Sequence, residues 1–153
     1  MSSELNQLRD LIRSEEGFRS KAYLDTLDVL TIGTGINVEE YFKRTGTRLA
    51  EKVGDEASSE ILNRAELSAI DIAVNDARSF LSNFDKLNLV RRHAVSSMSF
   101  NLGGPRLRTF KNFKAAMEAD DFGRAADEIM NSRMALQVPN RSKRLAATIH
   151  WGV

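Results

Sequence analysis

The first apolar positions of the chain repeat with the spacing of an α-helix. One helical face carries Leu5, Leu8, Leu11 and Ile12. This periodicity predicts a helix from Ser3 to Ser14. It stops before Gly17, a residue that favours a helix end or a turn.

Residues 18–38 change to a pattern typical of strands. The strand-favouring residues are Tyr23, Val29, Thr31 and Ile32. The Asp25–Asp28 stretch is a plausible turn between them. We therefore predict a small antiparallel hairpin or meander. Residues 39–62 predict a short helix near 39–44, a turn at Thr45-Gly46-Thr47 and then another short helix.

The longest predicted helix lies in the middle of the chain. Asn63 followed by Glu66 resembles a capping box. Helical spacing continues through Leu67, Ile70, Val74, Ala77 and Phe80-Leu81. The helix would be about 18 residues long, or about 27 Å, and its position would allow it to join two lobes.

From Asn88 onward the pattern is helical throughout. The first stripe consists of Val90, Ala94, Val95, Met98 and Leu102. Thr109 is a candidate cap for the helix that carries Phe110, Phe113 and Met117, and Asp120 or Asp121 for the next helix. Pro139 suits the first turn of a last helix, with Leu145 and Ile149 facing inward.

Composition excludes several classes of protein. The 153 residues include 22 Lys+Arg and 21 Asp+Glu, as in an ordinary globular chain. The absence of cysteine excludes a disulfide scaffold and a thiol nucleophile. With two histidines, a His-rich metal site is not expected, and no cofactor is expected either.

The ends and the charge distribution bear on location and partners. Charges interrupt the first stretch, so we expect no signal peptide, and no apolar run approaches a membrane span. Residues 1–80 hold 10 basic and 15 acidic residues, and residues 81–153 hold 12 basic and 6 acidic residues. This asymmetry is compatible with an anionic partner or with a solvated surface whose charges segregate.

Candidate chemistry rests on carboxylates. The chain has no phosphate-binding loop, no serine-hydrolase elbow and no zinc-protease motif. Glu16 ends the first helix, Asp25 sits at the hairpin turn and Thr31 lies on the returning strand. A glycosidase typically uses two carboxyl groups in different environments, one protonated as the general acid and one ionised. Without further context the pattern favours ordinary surface acids, because a chain with 21 acidic residues offers many such pairs.

The surrounding sequence resembles the T-even-phage lysozymes of glycoside hydrolase family 24. Their hallmark is a Glu, eight residues, an Asp or Cys, five residues and a Thr, which Glu16, Asp25 and Thr31 match. Similarity returns at Arg91-Arg92, at Phe110-Lys111-Asn112 and at Pro139-Asn140-Arg141. The resemblance covers nearly the whole chain except 37–62.

The resemblance implies an α+β, mostly α, two-lobed lysozyme-like domain over residues 1–153. The N-terminal lobe, at about 13–63, would hold a small antiparallel sheet. A linking helix at about 64–83 would lead to an all-helical C-terminal lobe at about 84–153, on which the first helix, 3–14, would pack. The cleft between the lobes would bind bacterial cell-wall glycan.

The implied activity is that of a muramidase, which cleaves the β-1,4 bond from N-acetylmuramic acid to N-acetylglucosamine. Glu16 would be the general acid, and Asp25 with Thr31 would position or activate the water. Enzymes of this family are generally described as inverting the configuration of the anomeric carbon. Phe100 and Asn101 match family cleft positions and, with Asn37, are candidate substrate contacts; Phe100 is alternatively a core aromatic.

The sequence also departs from its relatives. Ile36 replaces a His, and Phe113 and Glu128 replace a cleft Ser or Asn. The expected role is that of a monomeric phage endolysin acting on peptidoglycan from the host cytoplasm once a holin permeabilises the membrane, with no nucleic acid partner and no membrane insertion. Alternatives are a virion-associated lysozyme, a catalytically silent murein-binding module and a nucleic-acid binder.

Overall fold

The computed structural model describes residues 3–153 and divides into two compact units. One unit extends to Asp71 and the other is Ile72–Val153. The predicted lobe bounds, and the packing of the first helix on the second lobe, stay predictions. Within the described residues, no helix has the length and apolar character needed to cross a bilayer.

The first unit combines helices with a small sheet, so the predicted mixed, mostly helical fold class is confirmed. In chain order it contains α1 (Ser3–Glu16), β1 (Arg19–Leu24), β2 (Leu30–Gly33), β3 (Ile36–Asn37), α2 (Val38–Thr45) and the start of α3 (Ser59–Phe80). The strands form an antiparallel sheet in the order β1-β2-β3. The predicted helix near 39–44 and the turn at Gly46 are also present; Gly46 ends α2 in the left-handed conformation.

Strand β1 pairs irregularly because it serves two partners. Its register with β2 shifts between Arg19 and Tyr23. In that interval, the Ala22 N–H donates to the Asp55 carbonyl at 2.8 Å, and the Gly54 N–H donates to the Ala22 carbonyl at 2.8 Å. The stretch after α2 thus acts as a short extra edge of the sheet. The second short helix expected before residue 62 is therefore wrong.

The start of α3 corrects the predicted capping box. The helix begins at Ser59, and the Ser58 hydroxyl accepts the Ile61 N–H at 3.3 Å. Asn63 and Glu66 lie inside the helix, where they accept hydrogen bonds from Arg9 and Arg13 of α1. An Asn and a Glu at this spacing share one helical face, so they suit a helix–helix contact as well as a cap.

The second unit is helical. It contains the end of α3, a short 3-10 helix (Phe84–Lys86), α4 (Leu89–Leu102), α5 (Gly104–Leu107), α6 (Lys111–Glu118), α7 (Phe122–Met130), α8 (Arg133–Gln137) and α9 (Pro139–Trp151). The predicted Pro139 start of the last helix is confirmed. Of the two predicted caps for α7, Asp120 and Asp121, the structure uses Asp121, whose side chain accepts the Arg124 N–H at 3.2 Å.

Each unit has its own apolar core, built largely from the predicted stripes. The core of the first unit consists of Ala22, Ile32, Ile36, Val38, Tyr41, Leu49, Ala50, Leu62 and Ala65. In the second unit Met98, Phe113, Met117, Leu145 and Ile149 are buried. Two details differ. Val90 is 36% exposed at the start of α4, and Thr109 does not cap α6, since its hydroxyl donates to the Arg106 carbonyl instead.

Candidate active site

Glu16 is the last residue of α1, directly before the chain turns into the sheet. The helix ends because Gly17, with a φ of +82°, donates its N–H to the Arg13 carbonyl at 2.9 Å. A left-handed residue is the common way to end a helix, and glycine adopts it without a steric cost. Glu16 itself is half-buried. The helix end at Gly17 fixes the backbone of Glu16 at the junction between α1 and β1.

Asp25 occupies the turn between β1 and β2, as predicted. Its Oδ1 accepts two backbone N–H groups, from Leu27 at 2.8 Å and from Val29 at 2.9 Å. The turn is closed by hydrogen bonds from the Asp28 N–H to the Asp25 carbonyl and from the Asp25 N–H to the Val29 carbonyl, both at 3.0 Å. One carboxylate oxygen therefore organises the turn, and Oδ2 takes no part in these bonds.

Thr31 is fixed by the same residue as Asp25. Its hydroxyl donates to the Val29 carbonyl at 2.8 Å, and the residue is buried, with 3% of its surface exposed. The hydroxyl proton is committed to Val29, so only the lone pairs of Oγ1 remain for another partner. Asp25 and Thr31 are thus brought together through Val29, a residue that the sequence analysis did not single out for the site.

The sheet also brings Asn37 beside Thr31. Thr31 pairs with Tyr23 on one side and with Asn37 on the other. Directly opposite residues of antiparallel strands project their side chains to the same face, with Cβ atoms about 5 Å apart. Tyr23, Thr31 and Asn37 therefore form a row across the sheet. The Asn37 side chain also caps α2, because its Oδ1 accepts the Glu40 N–H at 3.0 Å.

Phe100 and Asn101 lie near the end of α4 in the second unit. Both are half-buried. Phe100 is not among the described residues that form or pack against the core of that unit. The interpretation of Phe100 as a core aromatic and the substrate contacts of Phe100 and Asn101 therefore both stay predictions.

An ion pair between Arg13 and a buried carboxylate lies one helical turn before Glu16. The Nε of Arg13 donates to both carboxylate oxygens of Glu66, at 3.2 and 3.1 Å, and its Nη2 donates to Oε1. The Glu66 side chain is 0% exposed. These hydrogen bonds to Glu66 raise the pKa of Arg13. The pair was not found from the sequence, because its partners are 53 positions apart.

The residues that depart from the family pattern lie in both units. Ile36 joins the core of the first unit. Phe113 is 1% exposed and stacks on Phe80, with ring centroids 6.4 Å apart. Phe113 and Glu128 also line a pocket of about 490 Å³ within the second unit, together with Lys111, Asn131 and Arg133 among others.

Comparison with known proteins decides the family. A family model for phage lysozymes matches residues 13–145, a range that contains every predicted site residue. The chain belongs to the phage lysozyme family. Two relatives from Dictyostelium discoideum, named probable T4-type lysozyme 1 and probable T4-type lysozyme 2, are 26% and 25% identical to it. Each alignment covers 97% of this chain and 96% of the relative.

Membership in this family makes the chain a glycosidase of the lysozyme type, with peptidoglycan as its substrate. Among residues 3–153, no group of three or more His, Cys, Asp or Glu side chains is arranged to hold a metal ion.

Proposed function

We propose that this lysozyme is a phage-type endolysin that hydrolyses the β-1,4 bond between N-acetylmuramic acid and N-acetylglucosamine. One observation carries the proposal. Within the family match, the Glu, Asp and Thr of the hallmark spacing lie at the end of α1, at the β1–β2 turn and on β2. Asp25 and Thr31 share Val29 as their hydrogen-bond partner.

Glu16 is the proposed general acid. In its protonated form it gives a proton to the glycosidic oxygen as the bond from that oxygen to the anomeric carbon breaks. A general acid and an ionised carboxylate in different environments can perform these two roles at one pH. Asp25 suits the second role, because two backbone N–H groups fix its Oδ1 in the turn and Oδ2 takes no part in those bonds.

The proposed nucleophile is a water held by Asp25 and Thr31. Oδ2 of Asp25 and Oγ1 of Thr31 offer lone pairs, since the Thr31 proton is donated to Val29. Two acceptors bind the two protons of one water, which leaves an oxygen lone pair to attack the anomeric carbon. As the bond from the water oxygen to the anomeric carbon forms and the glycosidic bond breaks, the water loses a proton to Asp25 and the leaving oxygen gains one from Glu16.

The decisive experiment compares Glu16→Gln with the wild-type protein on purified Gram-negative peptidoglycan. We expect the wild type to release new reducing ends and Glu16→Gln to be at least about 10² slower, the scale of a lost general acid. Glu15→Gln, a neighbouring substitution on α1, is the matched control and should retain activity. Equal activity of Glu16→Gln and the wild type would refute the proposed role of Glu16.

The role of water has its own signature. Direct attack by water on the face opposite the leaving group inverts the anomeric carbon, so the first product is the α-anomer. Proton NMR of a soluble murein fragment during early turnover measures this outcome. A β-anomer formed first would assign Asp25 to a covalent intermediate instead.

The endolysin role is tested separately from the chemistry. The protein is expressed in the cytoplasm of a Gram-negative host, and culture turbidity is followed with and without a holin. Lysis is expected only after permeabilisation, and Glu16→Gln should abolish it.

Two further expectations have their own measurements. If Phe100, Asn101 and Asn37 contact the sugar, replacing each of them by Ala should raise KM. Sedimentation of the purified protein should give the mass of a monomer.

A further inference from the structure

We infer that Arg13 is a positioning residue for Glu16, held in place by the buried carboxylate of Glu66. The inference rests on the proposed function, because it concerns the residue proposed there as the general acid. Arg13 lies three residues before Glu16 on α1, so the two side chains share one side of the helix. Arg13 contacts Gly17 and Phe18, the two residues that directly follow Glu16.

The first contact is between backbone groups. The Arg13 carbonyl accepts the N–H of Gly17, the residue directly after Glu16, at 2.9 Å. This bond closes the last turn of α1 around Glu16. The direction in which Glu16 leaves the helix therefore depends on where the backbone of Arg13 lies.

The second contact is made by the guanidinium group. It lies over the ring of Phe18, at 4.3 Å from the ring centroid. A cation above an aromatic face is attracted by the ring electrons. Phe18 is two residues after Glu16, so one side chain spans the helix end and restrains the segment that leads into β1.

The third contact anchors Arg13 itself. The Nε and Nη2 groups of its guanidinium, which form a planar fork of donors, bind the carboxylate of Glu66 on α3. This carboxylate is fully buried. A fork bound to two oxygens fixes orientation as well as position, and a buried charge is costly to separate from its partner. The end of α1 is thereby tied to a specific position on α3. A misplacement of about 1 Å at a catalytic group can cost about 10²-fold in rate.

The chain offers a matched control one turn earlier. Arg9 also connects α1 to α3, through a hydrogen bond to Asn63. It lies farther from Glu16 and has no described contact with Gly17 or Phe18. If only the general docking of α1 mattered, Arg9 and Arg13 would be equivalent for catalysis.

The test measures kcat and KM of full-length Arg13→Met, Glu66→Gln, Arg9→Met and Glu16→Gln on a soluble murein substrate. Each variant is assayed well below its own Tm, so that the folded fraction is the same. We expect kcat of Arg13→Met and Glu66→Gln to fall about 10- to 100-fold with KM within about twofold. Arg9→Met should keep kcat within about twofold of the wild type. Arg13→Lys, which keeps the charge but loses the fork, should lie between wild type and Arg13→Met.

Several outcomes would overturn the inference. Unchanged kcat in Arg13→Met and Glu66→Gln would do so, as would an equal loss of kcat in Arg9→Met. If Arg13→Met does not fold, the milder Glu66→Gln and Arg13→Lys variants decide by the same criteria. An inactive wild type, or an active Glu16→Gln, would instead refute the proposed function, and the inference would fall with it.

Discussion

Asp25 and Thr31 bind the two polar backbone groups of a single residue: Asp25 Oδ1 accepts the Val29 N–H, and the Thr31 hydroxyl donates to the Val29 carbonyl. The turn that carries the proposed base and the strand that carries the hydroxyl are therefore not independent. A change in one is expected to affect the other through the position of Val29. Through Val29, the position of the proposed base is therefore coupled to that of the hydroxyl.

The carboxylate charge of Asp25 can be tested without destroying the turn. Asn keeps an oxygen at Oδ1, so Asp25→Asn should still accept the Leu27 and Val29 N–H groups. We expect kcat to fall at least about 10²-fold with only a small change in Tm.

Asp28→Asn is the matched control for that substitution. Asp28 is in the same turn, is exposed and has a φ of +60°, which Asn tolerates. It should leave kcat near the wild-type value. If both substitutions reduced kcat equally, the effect would belong to the turn and not to the charge of Asp25.

The Thr31 hydroxyl can be separated from the Thr31 methyl group. Thr31→Ser keeps the hydroxyl, and we expect it to keep kcat within a few-fold of wild type. Thr31→Val fills the buried site without a hydroxyl and should lower kcat about 10- to 100-fold. Its stability cost should be about 1 kcal/mol or less, because the Val29 carbonyl still accepts the Asp25 N–H. Higher activity in Val than in Ser would contradict a role for Oγ1 in holding water.

Much of the hairpin and most helices could be predicted because their signals are local. Turn residues, glycines and apolar periodicity are all read within a few positions. The start of α3 was predicted too late for the opposite reason. The side chains of Asn63 and Glu66 are occupied by arginines more than 50 positions earlier in the chain, and a local pattern contains no information about such partners.

The candidate site likewise combines features that the sequence predicts with features that it does not. The spacing of Glu16, Asp25 and Thr31 placed each on the expected element, whereas the role of Val29 could not be found from its side chain. Val29 contributes backbone groups only, and backbone groups carry no sequence signal. Likewise, the resemblance marked Phe113 as a departure, but only packing against Phe80 explains why a large ring is accommodated there.

Thr34 offers a stability prediction next to the site. It lies between Gly33 and Gly35, is 2% exposed, and its hydroxyl has no hydrogen-bond partner among the described residues. Val has nearly the same shape without the polar group. Thr34→Val should therefore raise the free energy of unfolding by about 1 kcal/mol, measured by urea denaturation. A loss of stability would show that the hydroxyl is satisfied in solution.

Glu118 predicts a pH-dependent contribution to stability. It accepts hydrogen bonds from Lys114 Nζ and from the Ser82 N–H, both at 2.7 Å. These bonds, that from Lys114 foremost, lower its pKa from 4.5 to about 2. A depressed folded-state pKa stabilises the protein above the unfolded pKa, and this stabilisation is lost as the pH falls towards 2.

Glu118→Gln measures that contribution. At pH 6 it should lower the free energy of unfolding by about 1–2 kcal/mol, after allowance for solvent screening. The difference from wild type should shrink steadily between pH 4.5 and pH 2. Asp127→Asn, an exposed substitution on α7, should show no such trend. A difference for Glu118→Gln that does not vary with pH would contradict the charge-based explanation.

The central claim concerns which bond is cut and which residue makes the cut possible. Purified peptidoglycan is digested with wild type or with Glu16→Gln, the soluble fragments are reduced with borohydride, and the reduced ends are identified by mass spectrometry. A muramidase that uses Glu16 yields fragments ending in reduced N-acetylmuramic acid with wild type, and at least about 10²-fold fewer with Glu16→Gln. Fragments ending in reduced N-acetylglucosamine, or equal yields from the two proteins, would contradict it.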